Sequence, residues 1–176
     1  MLANFYYSDK EVDTLVKSLV ILIDTREQVN EHITNVYDKR NIPYKKRALK
    51  YGDYSFMIPA NEALNIPRDL YYDNEIVVER KASLEELSGN LTQDRGRFEK
   101  ELSLAPKTKV LLVEDASYED IAAGKYSTEY NRKSFLGSLH TYWFRYNIPV
   151  FFMSDKKYSA LFIRNYFEYY MKERLR

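Results

Sequence analysis

The sequence predicts an α/β fold, a central mixed β-sheet flanked by helices, as one domain over residues 1–176. Three observations predict it. Short β-branched apolar runs, such as Leu19-Val20-Ile21-Leu22-Ile23 and Ile76-Val77-Val78, alternate with segments of helical period. Capping-box patterns, Ser8 with Glu11 and Ser83 with Glu86, open two of the helical segments. Only 5 Gly and 5 Pro punctuate the chain, so regular structure with short connections should dominate.

The first helix is expected over residues 8–17, from its capping box. Residues 19–24 form a buried strand, and residues 29–40 a helix with Ile33, Val36 and Tyr37 on one side, stopped by Asn41-Ile42-Pro43. Residues 44–49 and 54–58 read as two strands joined by a turn at Tyr51-Gly52-Asp53. Residues 59–74 are polar and hold Pro59 and Pro67, so they read as a loop. A strand follows over 75–81, then a helix from Ser83 to about Leu104, broken near Gly89 or Gly96. A buried strand over 109–114 precedes a helix over 134–146, with Leu136, Leu139, Trp143 and Tyr146 on its stripe. A short strand over 149–153 and a closing helix over 154–174 complete the order. No glycine-rich loop follows the first strand, which excludes a doubly wound nucleotide fold.

Composition removes several functional classes. With 27 basic against 26 acidic residues the net charge is +1, so a nucleic-acid site must come from local segregation of charge. The absence of cysteine excludes a disulfide scaffold, a thiolate zinc site and a cysteine nucleophile. No apolar run approaches the roughly 20 residues of a membrane span. The N-terminal stretch carries Asp9, Glu11 and Asp13 in place of a signal-peptide pattern.

The acids fall at telling places. Asp24 and Glu79 end apolar runs, and Asp53 precedes a strand. Residues two apart on a strand share a face, so Lys81 accompanies Glu79 while Arg80 points away. Charges at the ends of apolar strands are costly unless paired or metal-bound. Converging carboxylates would call for a cation, and all-oxygen ligands suit Mg²⁺ or Mn²⁺ better than zinc. Such an ion activates water and stabilises a phosphoryl transition state, with a nearby lysine in support.

These motifs, Ile23-Asp24-Thr25-Arg26-Glu27, Gly52-Asp53-Tyr54 and Val78-Glu79-Arg80-Lys81 followed by Glu85, resemble the XPF-type nuclease domain of the PD-(D/E)XK superfamily. The family pattern is Asp-x-Arg-Glu, Gly-Asp, then Glu-Arg-Lys with an acid four residues on, usually Asp where this chain has Glu85. The match spans about residues 19–153, leaving the C-terminal helix over about 154–174. The resemblance implies a restriction-endonuclease-like fold and metal-dependent cleavage of branched or structured DNA. It implies Asp24, Asp53 and Glu79 as metal ligands and Lys81 as catalytic. Arg26 and Arg80 would brace the site or touch phosphate, and Glu85 is a further candidate.

Lys45, Lys46 and Arg47 near the Gly-Asp turn, and Gln93, Arg95 and Arg97 after the Glu-Arg-Lys strand, are the candidate DNA contacts. Phe162, Tyr166, Phe167 and Tyr170 exceed what one buried stripe needs, which marks the C-terminal helix as a homodimer face. No segment supplies the helix-hairpin-helix or helicase modules of larger family members. The compact form looks like a stand-alone phage or bacterial nuclease, acting on DNA in the cytoplasm of a bacterial or infected cell in recombination, repair or replication. A helicase or other DNA-processing protein is an expected partner. The rival readings are a non-catalytic DNA-binding or scaffolding subunit and a sequence-specific restriction enzyme. The first is disfavoured by the presence of all four motif residues, the second by the lack of a recognition insert.

Overall fold

The computed structural model describes residues 6–175. Residues 1–5, part of the stretch without a signal-peptide pattern, and residue 176, at the far bound of the expected domain, lie outside the described ones.

Helix α1 (Asp9–Lys17) leads to β1 (Val20–Ile23), α2 (Glu31–Lys39), β2 (Tyr44–Lys46) and β3 (Tyr54–Ile58). Then come β4 (Leu70–Tyr71), β5 (Ile76–Lys81), α3 (Leu84–Leu91), α4 (Arg95–Leu104) and β6 (Thr108–Glu114). The chain closes with α5 (Tyr118–Ala123), α6 (Arg132–Tyr146), β7 (Val150–Met153) and α7 (Ser159–Leu175). The first capping box forms in full, and the second in half, the Glu86 carboxylate accepting from the Ala82 N–H at 2.8 Å in place of the Ser83 N–H. The Ser8 hydroxyl accepts from the Glu11 N–H, and the Ser83 hydroxyl from the Glu86 N–H at 3.3 Å.

The seven strands make one mixed sheet in the order β2-β1-β3-β5-β6-β7, with β4 also on β3. β2–β1, β5–β6 and β6–β7 are parallel, and β1–β3 and β3–β5 antiparallel. The expected turn between β2 and β3 is therefore not a hairpin. The two strands lie on opposite sides of β1, and residues 47–53 cross over it. In that crossing the Arg47 N–H donates to the Ile23 carbonyl at 2.9 Å, and Leu49 packs with Leu22 and Met57. Nearness in sequence suggested a hairpin, but the pairing of both strands with β1 decided the topology.

Alternation along the strands divides the sheet into two faces. Ile21, Ile23, Tyr54, Phe56, Val78, Val110 and Leu112 pack with Leu15, Ile33, Tyr37, Ile163 and Phe167 in the principal core, beneath α1, α2 and α7. On the other face Leu111 and Val113 meet Leu87, Phe98, Phe135 and Leu139 beneath α3, α4 and α6. Over β1 and β3 this second face has only the small cluster of Leu22, Leu49 and Met57. The sheet is thus open there, beside α4.

Other expectations shift. The expected loop over 59–74 contains β4 and a 3₁₀ turn at Glu62–Leu64. The helical break falls between α3 and α4, at residues 92–94, between the two glycines near which it is expected, and there the Gly89 carbonyl accepts from the Asp94 N–H at 3.1 Å. The short helix α5, capped by Ser117, was not anticipated. In α6 the buried stripe is Phe135, Leu139 and Tyr142, while Trp143 is 45% exposed. Aromatic and apolar residues surround that helix, so periodicity alone leaves its phase ambiguous.

Candidate active site

Register brings the three predicted acids into one row. Ile23 pairs with Tyr54, and Tyr54 with Val78. One step further along each antiparallel pair stand Asp24 opposite Asp53, and Asp53 opposite Glu79. The Asp24 N–H donates to the Asp53 carbonyl at 2.8 Å, and the Asp53 N–H to the Val78 carbonyl at 2.9 Å. By alternation all three side chains turn to the open face. Gly52 permits the close approach. Its φ is +66°, and a Cβ there would stand 2.7 Å from the Val77 Cβ.

Asp53 is the most perturbed acid. Burial pushes its carboxyl well above the usual carboxylate range, and the neighbouring Glu79 carboxylate pushes the same way. The Arg80 backbone N–H, donating to Oδ2 at 2.7 Å, and Lys81 oppose them without reversing the shift. Lys81 is buried on the same face. Its Nζ lies 2.8 Å from Glu79 Oε1, 3.6 Å from Glu86 Oε1 and 5.2 Å from the centre of the Phe98 ring. Burial works against its charge, yet the attraction of Glu79 wins and its pKa rises above the ordinary lysine value.

Asp24 is buried and engaged by Arg26, whose Nε donates to Oδ2 at 2.7 Å and whose outer nitrogen also reaches the Leu49 carbonyl at 3.0 Å. Asp53 and Glu79 of the row floor a cleft of about 290 Å³, lined also by Arg26, Lys50, Arg97 and Lys109; Asp24, covered by Arg26, does not line it. Among the described residues no three acids or histidines converge as a closed metal cage. Mg²⁺ seldom uses one, and is usually held by one or two carboxylates with water completing the shell. Two mutually repelling carboxylates on the cleft floor, Asp53 and Glu79, fit that donor set.

The other predicted residues fall in different places. Arg80 faces away from the cleft, as the alternation required. It is bound by Glu27 and, at 2.7 Å, by Glu114, which is itself 2.9 Å from His32 Nε2. Glu85 is also turned elsewhere. Its Oε1 accepts from the backbone and hydroxyl of Ser127 at 3.0 and 3.1 Å, and the Ser127 N–H holds its carboxyl below the usual range. Glu86 is the acid beside Lys81.

Of the basic candidates, Lys45 and Arg47 lie on the cleft face in register with Leu22 and Asp24, stacked over the Tyr71 ring at 5.1 and 4.1 Å. Lys46 points to the opposite side by alternation. Arg97 lines the cleft, whereas Arg95 pairs with Glu99 at 2.9 Å; Gln93 lies in the exposed break between α3 and α4.

Sequence reading missed the Glu27–Arg80–Glu114–His32 cluster, although Glu114 ends an apolar strand as Glu79 does. Lys50, in the basic cluster beside the Gly-Asp turn, lines the cleft, whereas Lys109 carries no such local signal and only the fold brings it there.

The chain is a mixed-sheet α/β domain with helices on both faces, and acids and a lysine stand at its central strand ends beside an open cleft. The chain belongs to the ERCC4 domain family, whose pattern matches residues 23–166. Among solved structures it is similar to XPF from Aeropyrum pernix, at 18% identity and a TM-score of 0.60, covering 86% of this chain and 61% of that one. It is also similar to XPF from Aeropyrum pernix in complex with DNA, at 19% identity and a TM-score of 0.63, covering 89% of this chain and 67% of that one. These likenesses concern the fold, and the chain spans about three fifths to two thirds of those chains. Comparison with curated proteins finds no match. Family membership supports a DNA nuclease or DNA-binding role. Among the described residues no helix is long and apolar enough to cross a membrane.

Proposed function

We propose that this domain is a divalent-metal-dependent endonuclease that hydrolyses DNA phosphodiesters in branched or otherwise structured DNA. The observation that carries the reading is the pair of half-buried neighbouring carboxylates, Asp53 and Glu79, beside Lys81 on the floor of an open cleft. A bound Mg²⁺ or Mn²⁺ supplies activated water and charge stabilisation at phosphorus. Asp53 and Glu79 hold that ion. Lys81, kept cationic by Glu79, orients the water or neutralises phosphate charge and does not serve as the proton acceptor. Asp24 fixes Arg26 at the rim, where with Arg97 it meets flanking phosphates. Water adds to phosphorus, one bridging P–O bond breaks, and the departing oxygen takes up the proton that the water gives up, leaving a hydroxyl and a phosphomonoester end.

On this reading the domain serves recombination, repair or replication in a bacterial or phage-infected cell. A helicase or other DNA-processing protein delivers its substrate. A second copy docks on α7, where Phe162, Tyr166, Tyr169 and Tyr170 line an outward groove.

The test is cleavage of end-labelled single-stranded, duplex, flap, fork and four-way-junction DNA with Mg²⁺, Mn²⁺ or EDTA, beside Glu79→Ala and Lys81→Ala. Metal-dependent cutting of branched substrates, lost in both variants while their circular dichroism is unchanged, is the expected result. Full activity in either variant sinks the assigned roles. DNA binding without cleavage of any substrate supports the non-catalytic reading instead.

A further inference from the structure

Four cations are buried among the described residues: Arg80, Lys81, Lys109 and Arg164. Arg80 meets Glu27 and Glu114, Lys81 meets Glu79, and Arg164 meets Glu168. Lys109, only 7% exposed, has no carboxylate partner among the described residues. One of its three N–H groups donates to the Pro106 carbonyl at 3.0 Å. A buried ammonium without counter-charge is costly, and burial draws its pKa below the ordinary lysine value.

Its position gives that cost a use. Lys109 pairs with Val77 across the β5–β6 ladder, and Leu111 pairs with Glu79. Lys109 therefore shares the open face with the acids, two residues back and one strand across, on the order of 8 Å from Glu79 at the backbone. It lines the cleft of the acid row. It also lines a second cavity of about 440 Å³ with Lys107, Arg145 and Asn147. Lys107 is exposed without an acidic partner among the described residues, and Arg145 approaches Glu99 only at 3.9 Å. Cations thus run from the acid row out along the second cavity, which suits an extended polyanion better than a small one.

The geometry points to Lys109 as a phosphate subsite that seats the DNA backbone phosphate next along the strand from the one cleaved over Asp53 and Glu79, with Lys107 and Arg145 guiding the strand onward. The rise of about 3.4 Å per nucleotide is measured along the helix axis, and the winding of the backbone carries successive phosphates farther apart in space, so an offset on the order of 8 Å matches the next phosphate along the strand. The inference rests on the nuclease reading and adds the path of the strand.

The test measures binding of the whole chain to fluorescent forked DNA in EDTA, by anisotropy, across a series of KCl concentrations. Lys109→Gln is expected to weaken binding about tenfold at low salt and to reduce the slope of log affinity against log salt by about 0.7–0.9. Lys109→Arg should restore the slope, which a merely structural role would not predict. The exposed pair Lys107→Gln and Arg145→Gln together should reduce the slope by about 1.5. Wild-type binding with unchanged affinity and slope in Lys109→Gln overturns the inference and leaves the nuclease reading standing. If Lys109→Gln fails to fold, the double variant decides, and an unchanged slope there overturns the path. Absence of wild-type DNA binding overturns both readings together.

Discussion

The backbone N–H of Arg80 donates to Oδ2 of Asp53 at 2.7 Å. Arg80 sits between Glu79 and Lys81 on β5, so this bond ties the start of β3 to the middle of the Glu-Arg-Lys motif. The residue thereby works in two directions: its backbone holds an acid of the cleft, while its guanidinium anchors the opposite face of the sheet.

Asp53→Asn keeps an acceptor for that N–H and removes a buried charge. Burial and Glu79 both disfavour the Asp53 carboxylate, so the uncharged variant should be more stable. A gain of about 1–2 kcal/mol is expected, or roughly 2–8 °C in thermal midpoint at this chain length. Calorimetry in EDTA at pH 8 measures it. DNA cleavage should be lost in the same variant. A lower midpoint would show that Lys81 outweighs burial at this carboxylate.

The pH dependence of that difference has a defined sign. At low pH Asp53 is protonated in both folded and unfolded chains and contributes nothing. As pH rises above the ordinary carboxylate range, the unfolded chain releases its proton first, because the folded pKa is raised. The folded state then binds more protons, and stability falls with pH until the folded pKa is passed. The advantage of Asp53→Asn should therefore grow from acid to neutral pH and then level off. Mg²⁺ should raise the wild-type midpoint at neutral pH and raise that of Asp53→Asn less, because an ion that binds only the folded state stabilises by mass action. Equal shifts in both proteins would place the ion elsewhere.

Charged residues that end apolar runs are legible in a sequence, and so Asp24, Glu79 and the outward turn of Arg80 could be read from alternation alone. The motif order added Asp53, and with it the row. Pairing partners are not local properties, and so the crossing of residues 47–53 over β1 was read as a hairpin. The same limit hid the ionic cluster behind the sheet. Glu27, His32, Arg80 and Glu114 come from four separate elements or connections, and none carries a spacing that points to the others. Lys109 looked like any strand lysine until the fold buried it without an acid.

Gly52→Ala tests how the row is assembled. The φ of +66° is strained for any residue with a Cβ, and the new methyl would press on the Val77 side chain and the Val78 carbonyl. Backbone strain and overpacking together should cost about 2–4 kcal/mol. Denaturant unfolding would read this as a lower midpoint with an unchanged slope. The same push moves Asp53 away from Glu79, so cleavage should fall more than the folded fraction does. A variant as stable as wild type would show that β3 and β5 adjust freely here.

The cluster behind the sheet predicts strong non-additivity. Despite burial, Arg80 holds the Glu114 carboxyl below the usual range, and Glu114 has no exposed surface. Arg80→Met strands that carboxylate beside an apolar side chain and should cost about 3–5 kcal/mol. Glu114→Gln alone removes one of the two acids on Arg80 and leaves Glu27 in place, so its cost should be smaller. Once Arg80 is Met, the Gln substitution relieves an uncompensated buried charge and should recover stability. The two effects together should therefore be less destabilising than their sum by more than 1 kcal/mol, as contacting charges in one network show. Urea unfolding of the four proteins in the cycle measures it. Additive effects would mean that water reaches Glu114 when Arg80 is gone, and that the cluster is held by its packing more than by its charges.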